Sequence, residues 1–437
     1  MKIPSLKISQ TGLIKYFSNT SWLFLERVLR MVSSLFIGVW MARYLGPTNF
    51  GLFSYVNAYV ALFAVVANLG IDTIVVKRLV KADSNTGPLV GTSFFLKLGA
   101  SMLMLIICGL TSFLVTDTSD ASLLILIAAT SMIFQSFSVI DLFFQSKVLS
   151  KFVVFSNLFS LFLSILVKVY LLTSGASLLL FVCVVVFESI VTAVSLLYFY
   201  VRHGSFISDW QFDLDIAKKL LVDGLPLILS GLVVAIYMKI DQIMIEQMLD
   251  ITAVGEYAAA ARLSEFWYFI PVIISSSLFP AIVNAKNISL DLYYKRLQAL
   301  FNLLFWLSVI ITITVASFSS IIIDFLFGSD YSGAKAILVI HVYSGIFAAL
   351  GISSAKWFIQ EELQNLLFYR ALLGAILNVI LNLILIKKFG GIGAAYATLA
   401  AQASSSYLFN IFNKRTHKLF MMQSAVIISP FLKVARR

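Results

Sequence analysis

Residues 178–200 read LLLFVCVVVFESIVTAVSLLYFY, with Glu188 the single charged side chain. A strand of a membrane barrel alternates apolar and polar side chains over about ten residues. This run instead stays apolar for the roughly 20 residues that a helix needs to cross the hydrocarbon core of a bilayer. Residues 301–318 repeat the pattern. A bilayer leaves only helices and closed barrels as ways to satisfy the backbone, so helices are the spanning element here. The same signal extends outward along nearly the whole chain. Of 437 residues, 60% are hydrophobic and 12% charged, whereas a soluble domain carries about 25% charged residues. No soluble fold of this length has an interior large enough for that apolar content.

Twelve spans are expected, over residues 22–44, 50–68, 90–115, 122–140, 152–172, 178–200, 222–247, 254–283, 297–318, 334–357, 371–386 and 391–412. The loops between them are short and leave no room for a separate extramembrane enzyme domain. Residues 1–19 mix lysines with polar residues and lack an apolar core of their own, so they are not expected to form a cleaved signal. Cys108 and Cys183 lie in apolar runs, as small buried residues rather than a disulfide. His203, His341 and His417 show no metal-binding spacing.

Orientation follows from the basic residues. With a cytoplasmic N-terminus, 22 of the 32 lysines and arginines fall at one face, Lys97 and Arg370 among them. Four fall at the other face, and six lie deeper inside spans. Both termini are therefore expected in the cytoplasm. The net charge of +11 is then a basic face beside anionic lipid headgroups, with no need of nucleic acid. A polar stretch near the middle divides the spans evenly. The expected architecture is an all-α polytopic membrane protein of two pseudo-symmetric six-helix lobes, 1–200 and 222–412. A cytoplasmic linker, 201–221, joins them, and a basic tail, 413–437, follows. The apolar run 425–432 in the tail is too short to span, and is expected on the membrane surface or against the bundle.

The two halves share a trace of common origin. LGPTNFGLFS at 45–54 and LDITAVGEYA at 249–258 align at a constant offset of 204, with Leu, Thr and Gly identical. Glycine permits a tight bend between paired helices, and the aromatic suits the membrane interface. Six spans per half start both halves on one side, which implies a repeat about an axis along the membrane normal.

Charge inside the spans carries the functional signal. Arg27, Arg30, Lys168, Lys239, Arg262 and Lys356 all lie within them. Each charge at the bilayer centre costs roughly 2.5–3.5 kcal/mol, so six facing lipid would exceed a typical net stability. They must line a wet cavity, pair with acids or snorkel. The acids at hand are Glu26, Glu188, Asp241, Glu246 and Glu265, which serve either as charge partners or as sites for a driving H+ or Na+. Polar stripes on helices point the same way: Asn157, Ser160 or Ser164 with Lys168; Glu188 with Thr192 and Ser195; Asn378 with Asn382. They suit a hydrated lumen or hydrogen bonds between helices. A cationic lumen attracts anions, and the arginine fork fits a diphosphate. Pro226, Pro271 and Pro280 interrupt helices near this region. There is no glycine-rich phosphate loop for ATP hydrolysis.

Several segments resemble a known family. Residues 42–54, ARYLGPTNFGLFS, resemble the RYLGPxxFGxFS signature of bacterial polysaccharide-unit flippases. LGIDTIVVK at 69–77 resembles their LGxD segment. DQIMI at 241–245 followed by VGEYAAAARLSE at 254–265 looks like the hallmark of their seventh and eighth helices, and GIGAAYAT at 391–398 is similar to their last hairpin. The resemblance is to the Wzx-type O-antigen flippases of the multidrug/oligosaccharidyl-lipid/polysaccharide exporter superfamily. It implies translocation of an undecaprenyl-diphosphate-linked oligosaccharide across the bacterial inner membrane, for lipopolysaccharide or other surface polysaccharide. It also implies ion-coupled alternating access, no cofactor and no enzymatic step, with a polysaccharide polymerase and a chain-length regulator as expected partners beside the membrane lipid. Twelve spans rather than fourteen argue against the lipid II branch. A multidrug or cation antiporter of the same superfamily is the alternative. A membrane polysaccharide polymerase is a weaker one, since the outward loops are short.

Overall fold

The computed structural model describes residues 10–81, 86–115 and 119–434, and every regular element among them is helical. In chain order these are α1 (Gln10–Ala67), α2 (Asp72–Lys81), α3 (Gly87–Val115), α4 (Ser119–Ala129), α5 (Ser131–Gln135), α6 (Val139–Ser146), α7 (Ser150–Thr173) and α8 (Leu178–Arg202). There follow α9 (Leu214–Met248), α10 (Ile251–Phe266), α11 (Phe269–Ile288), α12 (Leu290–Ser317), α13 (Ser319–Leu326), α14 (Ser332–His341), α15 (Ser344–Gln360), α16 (Gln364–Ser406) and α17 (His417–Val434).

Nine helical stretches among the described residues are long and apolar enough to cross a membrane, and a pair bent by 48°, Ser329–His341 with Ser344–Gln360, makes a tenth. Two of the nine, Ser21–Lys81 and Gln364–Ile411, run to 61 and 48 residues. At about 1.5 Å per residue each is far longer than one crossing of a hydrocarbon core about 30 Å thick. Within them α1 breaks at Gly46 (φ 70°, ψ 171°) and α16 at Gly390 (φ 60°, ψ −143°), so each supplies two crossings. That brings the total to the twelve expected, at the expected places.

The sequence explains the breaks. Gly46 takes a left-handed φ that a side chain would resist, and Pro47 then opens the next helix with its φ already set. At the second break the two arms of α16 pack antiparallel. Asn378 reaches Thr398 at 3.5 Å, and a Cβ on Gly374 would lie 3.1 Å from Ser405 Cβ. Elsewhere, Asp250 caps α10 by accepting from Ala253 N at 2.8 Å, and Ser289 caps α12 from Leu292 N at 3.1 Å.

The helices form two compact units. Unit 1 comprises the described residues of Met1–Gly38 and Tyr59–Leu232; unit 2 comprises those of Val39–Ala58 and Val233–Arg437. The core of unit 1 gathers Val75, Leu79, Phe143, Phe144, Tyr200 and Trp210. Trp210 belongs to the polar stretch between α8 and α9, yet it is buried, with its ring 4.8 Å from Phe94 and its Nε1 donating to Tyr200 at 3.1 Å. Gly87 and Gly91 of α3 let that stretch lie backbone to backbone on the helix, at Asp209 and Gln211. The core of unit 2 gathers Tyr293, Leu297, Phe301, Ala349 and Phe358, and α17 packs onto it through Leu419 and Val426. Outward-facing positions are apolar, with Leu114 and Phe325 84% and 77% exposed, an arrangement suited to lipid and not to water.

The offset-204 repeat is visible as a contact within unit 2. The hydroxyls of Thr48 and Thr252 lie 3.0 Å apart. A Cβ on Gly51 would collide with the carbonyl of Ile251, and one on Gly255 with the carbonyl of Pro47. The contact is reciprocal: each residue of one turn meets the equivalent neighbour in the other. Equal-numbered positions of the repeat meet at two successive points, which is how helices cross in parallel about a twofold axis. Small residues allow that close approach.

Candidate functional site

Most of the charged residues singled out from the sequence fall into two clusters, one in each unit. In unit 1, Arg30 on α1 donates from Nε to Glu26 Oε1 at 3.0 Å and from Nη1 to Glu188 Oε1 at 3.0 Å. Its Nη2 reaches the carbonyl of Asn157 at 3.4 Å. The other oxygen of Glu188 accepts from Ser164 at 2.8 Å and stands 3.6 Å from Lys168 Nζ. Thr192 donates to Ser160 at 2.8 Å. The polar stripes of α7 and α8 therefore face each other and hold the helices together, and two cations are balanced by two acids. Arg27, one position along, is exposed.

Unit 2 holds a cavity of about 360 Å³, lined by Phe50, Phe53, Ser54 and Asn57 of α1, Lys239 and Gln242 of α9, and Ala261, Arg262 and Glu265 of α10. Lys239, Arg262 and Glu265 are each half-buried. Two cations against one acid leave the cavity positive, and within a low-dielectric wall that charge attracts an anion. Arg262 and Glu265 share a face of α10 by their three-residue spacing.

A second cavity of about 180 Å³ shares Gln242, Ala261 and Glu265 with the first. Its floor is Asp241, 5% exposed. This carboxylate accepts from Asn382 Nδ2 at 2.6 Å, from Thr398 Oγ1 at 2.6 Å and from the hydroxyl of Tyr257. All three donors are neutral, and among the described residues no lysine or arginine nitrogen lies within ion-pair distance of it. The second amide atom of Asn382, Oδ1, is buried with no hydrogen-bond partner. His341 completes the wall, with Nδ1 2.9 Å from Ser264 Oγ and its ring edge-on to Tyr257. A buried anion beside an orphaned amide oxygen is a place for a proton or a small cation.

Two residues singled out from the sequence stand apart from both cavities. Glu246 lies half-buried near the end of α9, and Lys356 lies half-buried on α15. Two charges counted as basic-face residues turn to partners within the protein instead, Lys97 fully buried and Arg370 half-buried. Lys97 is 1% exposed, with Nζ 2.6 Å from Asp72 Oδ1 and 3.0 Å from Ser138 Oγ. Asp72 is the acid of the LGxD segment, and the signal missed was Lys97 standing ten residues into an apolar helix. Arg370 is held by Ser354 Oγ at 2.9 Å and the Gly351 carbonyl at 3.3 Å. The apolar stretch before it starts α16 at Gln364, ahead of the expected span boundary.

Residues 17–286 match the polysaccharide biosynthesis protein family. The chain belongs to that family. No curated protein matches the sequence. Among solved structures, the chain is similar to the lipid II flippase MurJ in an inward closed conformation. The TM-score is 0.72 at 16% identity, over 95% of this chain and 92% of that one. It is also similar to an inward-facing multidrug resistance MATE family transporter of the MOP superfamily, with a TM-score of 0.69 at 14% identity, over 91% and 95%. An outward-facing MATE transporter gives 0.56 at 13% identity, over 94% of each chain. At such identities the likeness is one of fold. The chain is a multi-pass membrane protein of the polysaccharide biosynthesis family, with the fold of flippases and multidrug transporters.

Proposed function

We propose that this protein is a flippase that carries undecaprenyl-diphosphate-linked O-antigen or related polysaccharide units across the bacterial inner membrane, with both termini in the cytoplasm. The observation that carries this reading is the positive cavity of Lys239 and Arg262 in a chain of the polysaccharide biosynthesis family. The guanidinium fork of Arg262 suits one phosphate of the cargo, and Lys239 adds a point charge. Arg27, Arg30, Lys168 and Lys356, the other cations of the spans, are further candidates for contact with the anionic cargo. A polysaccharide polymerase and a chain-length regulator receive the cargo on the far side.

Transport uphill requires a driving ion. Asp241, with Asn378, Asn382 and Thr398, is the site we assign to H+ or Na+, because its buried charge has neutral partners only. Glu265 lines both cavities and so stands where ion and cargo meet.

The test is translocation of a fluorescent polyprenyl-diphosphate oligosaccharide in proteoliposomes. Losing a charge-assisted hydrogen bond costs about 1.5–3 kcal/mol, or roughly 10- to 100-fold. Lys239→Ala and Arg262→Ala should each slow translocation by that factor at equal protein incorporation. Unchanged rates in both would remove the cavity from the mechanism. Export of cationic dyes with no movement of the lipid would favour the multidrug antiporter.

A further inference from the structure

Several cations within the membrane-spanning helices have an acid at hand. Arg30 and Lys168 share Glu188, Lys97 has Asp72, and Lys286 has Glu361 at 2.7 Å. Lys239 and Arg262 line a cavity with Glu265. Lys356 and Arg370 have no such acid among the described residues, and of the two Arg370 is the one with defined partners. Its described partners are a hydroxyl, a carbonyl and the face of Phe358, whose centroid is 5.5 Å away. Among the described residues no carboxylate lies within ion-pair distance of it. A neutral amide could make the same two hydrogen bonds without an uncompensated charge. Charge inside a membrane is costly enough to need a reason.

The surroundings supply one. Arg370, Gly374, Asn378 and Asn382 recur every four residues on α16, so they form one stripe. Asn382 ends the stripe at Asp241. Gly374, midway, leaves room for Tyr237: a Cβ there would lie 3.1 Å from Tyr237 Cε2. Tyr237 in turn lines the Asp241 cavity and donates to Gln402 in the same wall. Arg370 therefore heads a polar track of about 18 Å along α16. The track starts some 9 Å from the α15–α16 turn and leads to the cavity that adjoins Lys239 and Arg262.

We propose that Arg370 is an outer anion subsite, where a diphosphate headgroup is held between the α15–α16 turn and the cavity of Lys239 and Arg262. The inference rests on the reading of the cargo as a lipid diphosphate. Two of the five guanidinium N–H groups are spent on Ser354 and Gly351, and the fork keeps donors for phosphate oxygens.

The experiment measures binding of inorganic pyrophosphate and of farnesyl diphosphate to the purified full chain in nanodiscs. The wild type, Arg370→Gln and Arg262→Gln are compared. Arg370→Gln should weaken both probes about tenfold and leave binding of farnesol unchanged. An equal loss for both probes is expected, because the site recognises the diphosphate. A loss confined to the farnesyl probe would make Arg370 a lipid contact and overturn the subsite. If Arg262→Gln weakens binding and Arg370→Gln does not, the subsite falls while the cavity reading stands. If neither does, the diphosphate reading itself fails, and the subsite with it. Should Arg370→Gln not fold, phenylglyoxal labelling of the wild type decides. Pyrophosphate should protect Arg370 from modification, and an unprotected Arg370 beside a protected Arg262 overturns the proposal.

Discussion

Alanine at Gly51 or Gly255 should destabilise the protein, although alanine normally strengthens a helix. In an ordinary exposed helix the change from glycine gains about 1 kcal/mol. Here the new Cβ would be driven into a peptide carbonyl, that of Ile251 from Gly51 or that of Pro47 from Gly255. A backbone oxygen has no rotamer to adopt, so the helices must part. Overpacking of this kind costs about 1–3 kcal/mol or more. Parting also stretches the 3.0 Å Thr48–Thr252 hydrogen bond, worth about 0.5–1.5 kcal/mol. After the propensity gain is subtracted, each substitution should cost about 0.5–3.5 kcal/mol. Because the contact is reciprocal, the two costs should be similar. The double variant should cost less than their sum, since one Cβ already opens the crossing for the other. Reversible unfolding in mixed micelles, with both single variants and the double, measures all three. Stabilisation by either change, or full additivity of the pair, would refute the reciprocal contact.

Removing the shared acceptor of unit 1 with Glu188→Gln should cost about 1–3 kcal/mol, less than a fully buried pair because Arg30 is 39% exposed; the same unfolding assay reads it, and a neutral result would mean that Arg30 and Lys168 are satisfied elsewhere. Asp241→Asn keeps the shape of the buried site but removes its charge, so translocation in proteoliposomes should lose its dependence on an imposed H+ or Na+ gradient while the fold survives. A gradient response equal to the wild type would move the coupling ion away from Asp241.

The fold was legible because hydrophobic runs of spanning length leave few alternatives. Even the Gly46 break announced itself, since Gly-Pro between two apolar runs ends one helix and begins another. The charge clusters were half legible. Glu26 with Arg30, and Arg262 with Glu265, follow from helical spacing alone. Glu188 meeting Arg30 does not, because 158 residues separate them and no local rule spans that distance. Asn382 and Thr398 at Asp241 were hidden for the same reason, although Asn378 and Asn382 already stood out as a stripe. Lys97 and Arg370 were misjudged because a cation near a span end reads as a basic-face residue. Whether such a side chain turns inward depends on which acid or hydroxyl a neighbouring helix presents there.

The paired turns at Gly51 and Gly255 carry an implication about ancestry. A surface that fits its own copy needs to arise only once. A six-helix forebear with a single such turn could have associated with a second copy of itself through the same glycine, before duplication and fusion joined the copies in one chain. Fusion then frees the copies to diverge, and the buried charges show it. One half kept balanced pairs that bind helix to helix, while the other kept cations around an open cavity and a lone carboxylate beside it.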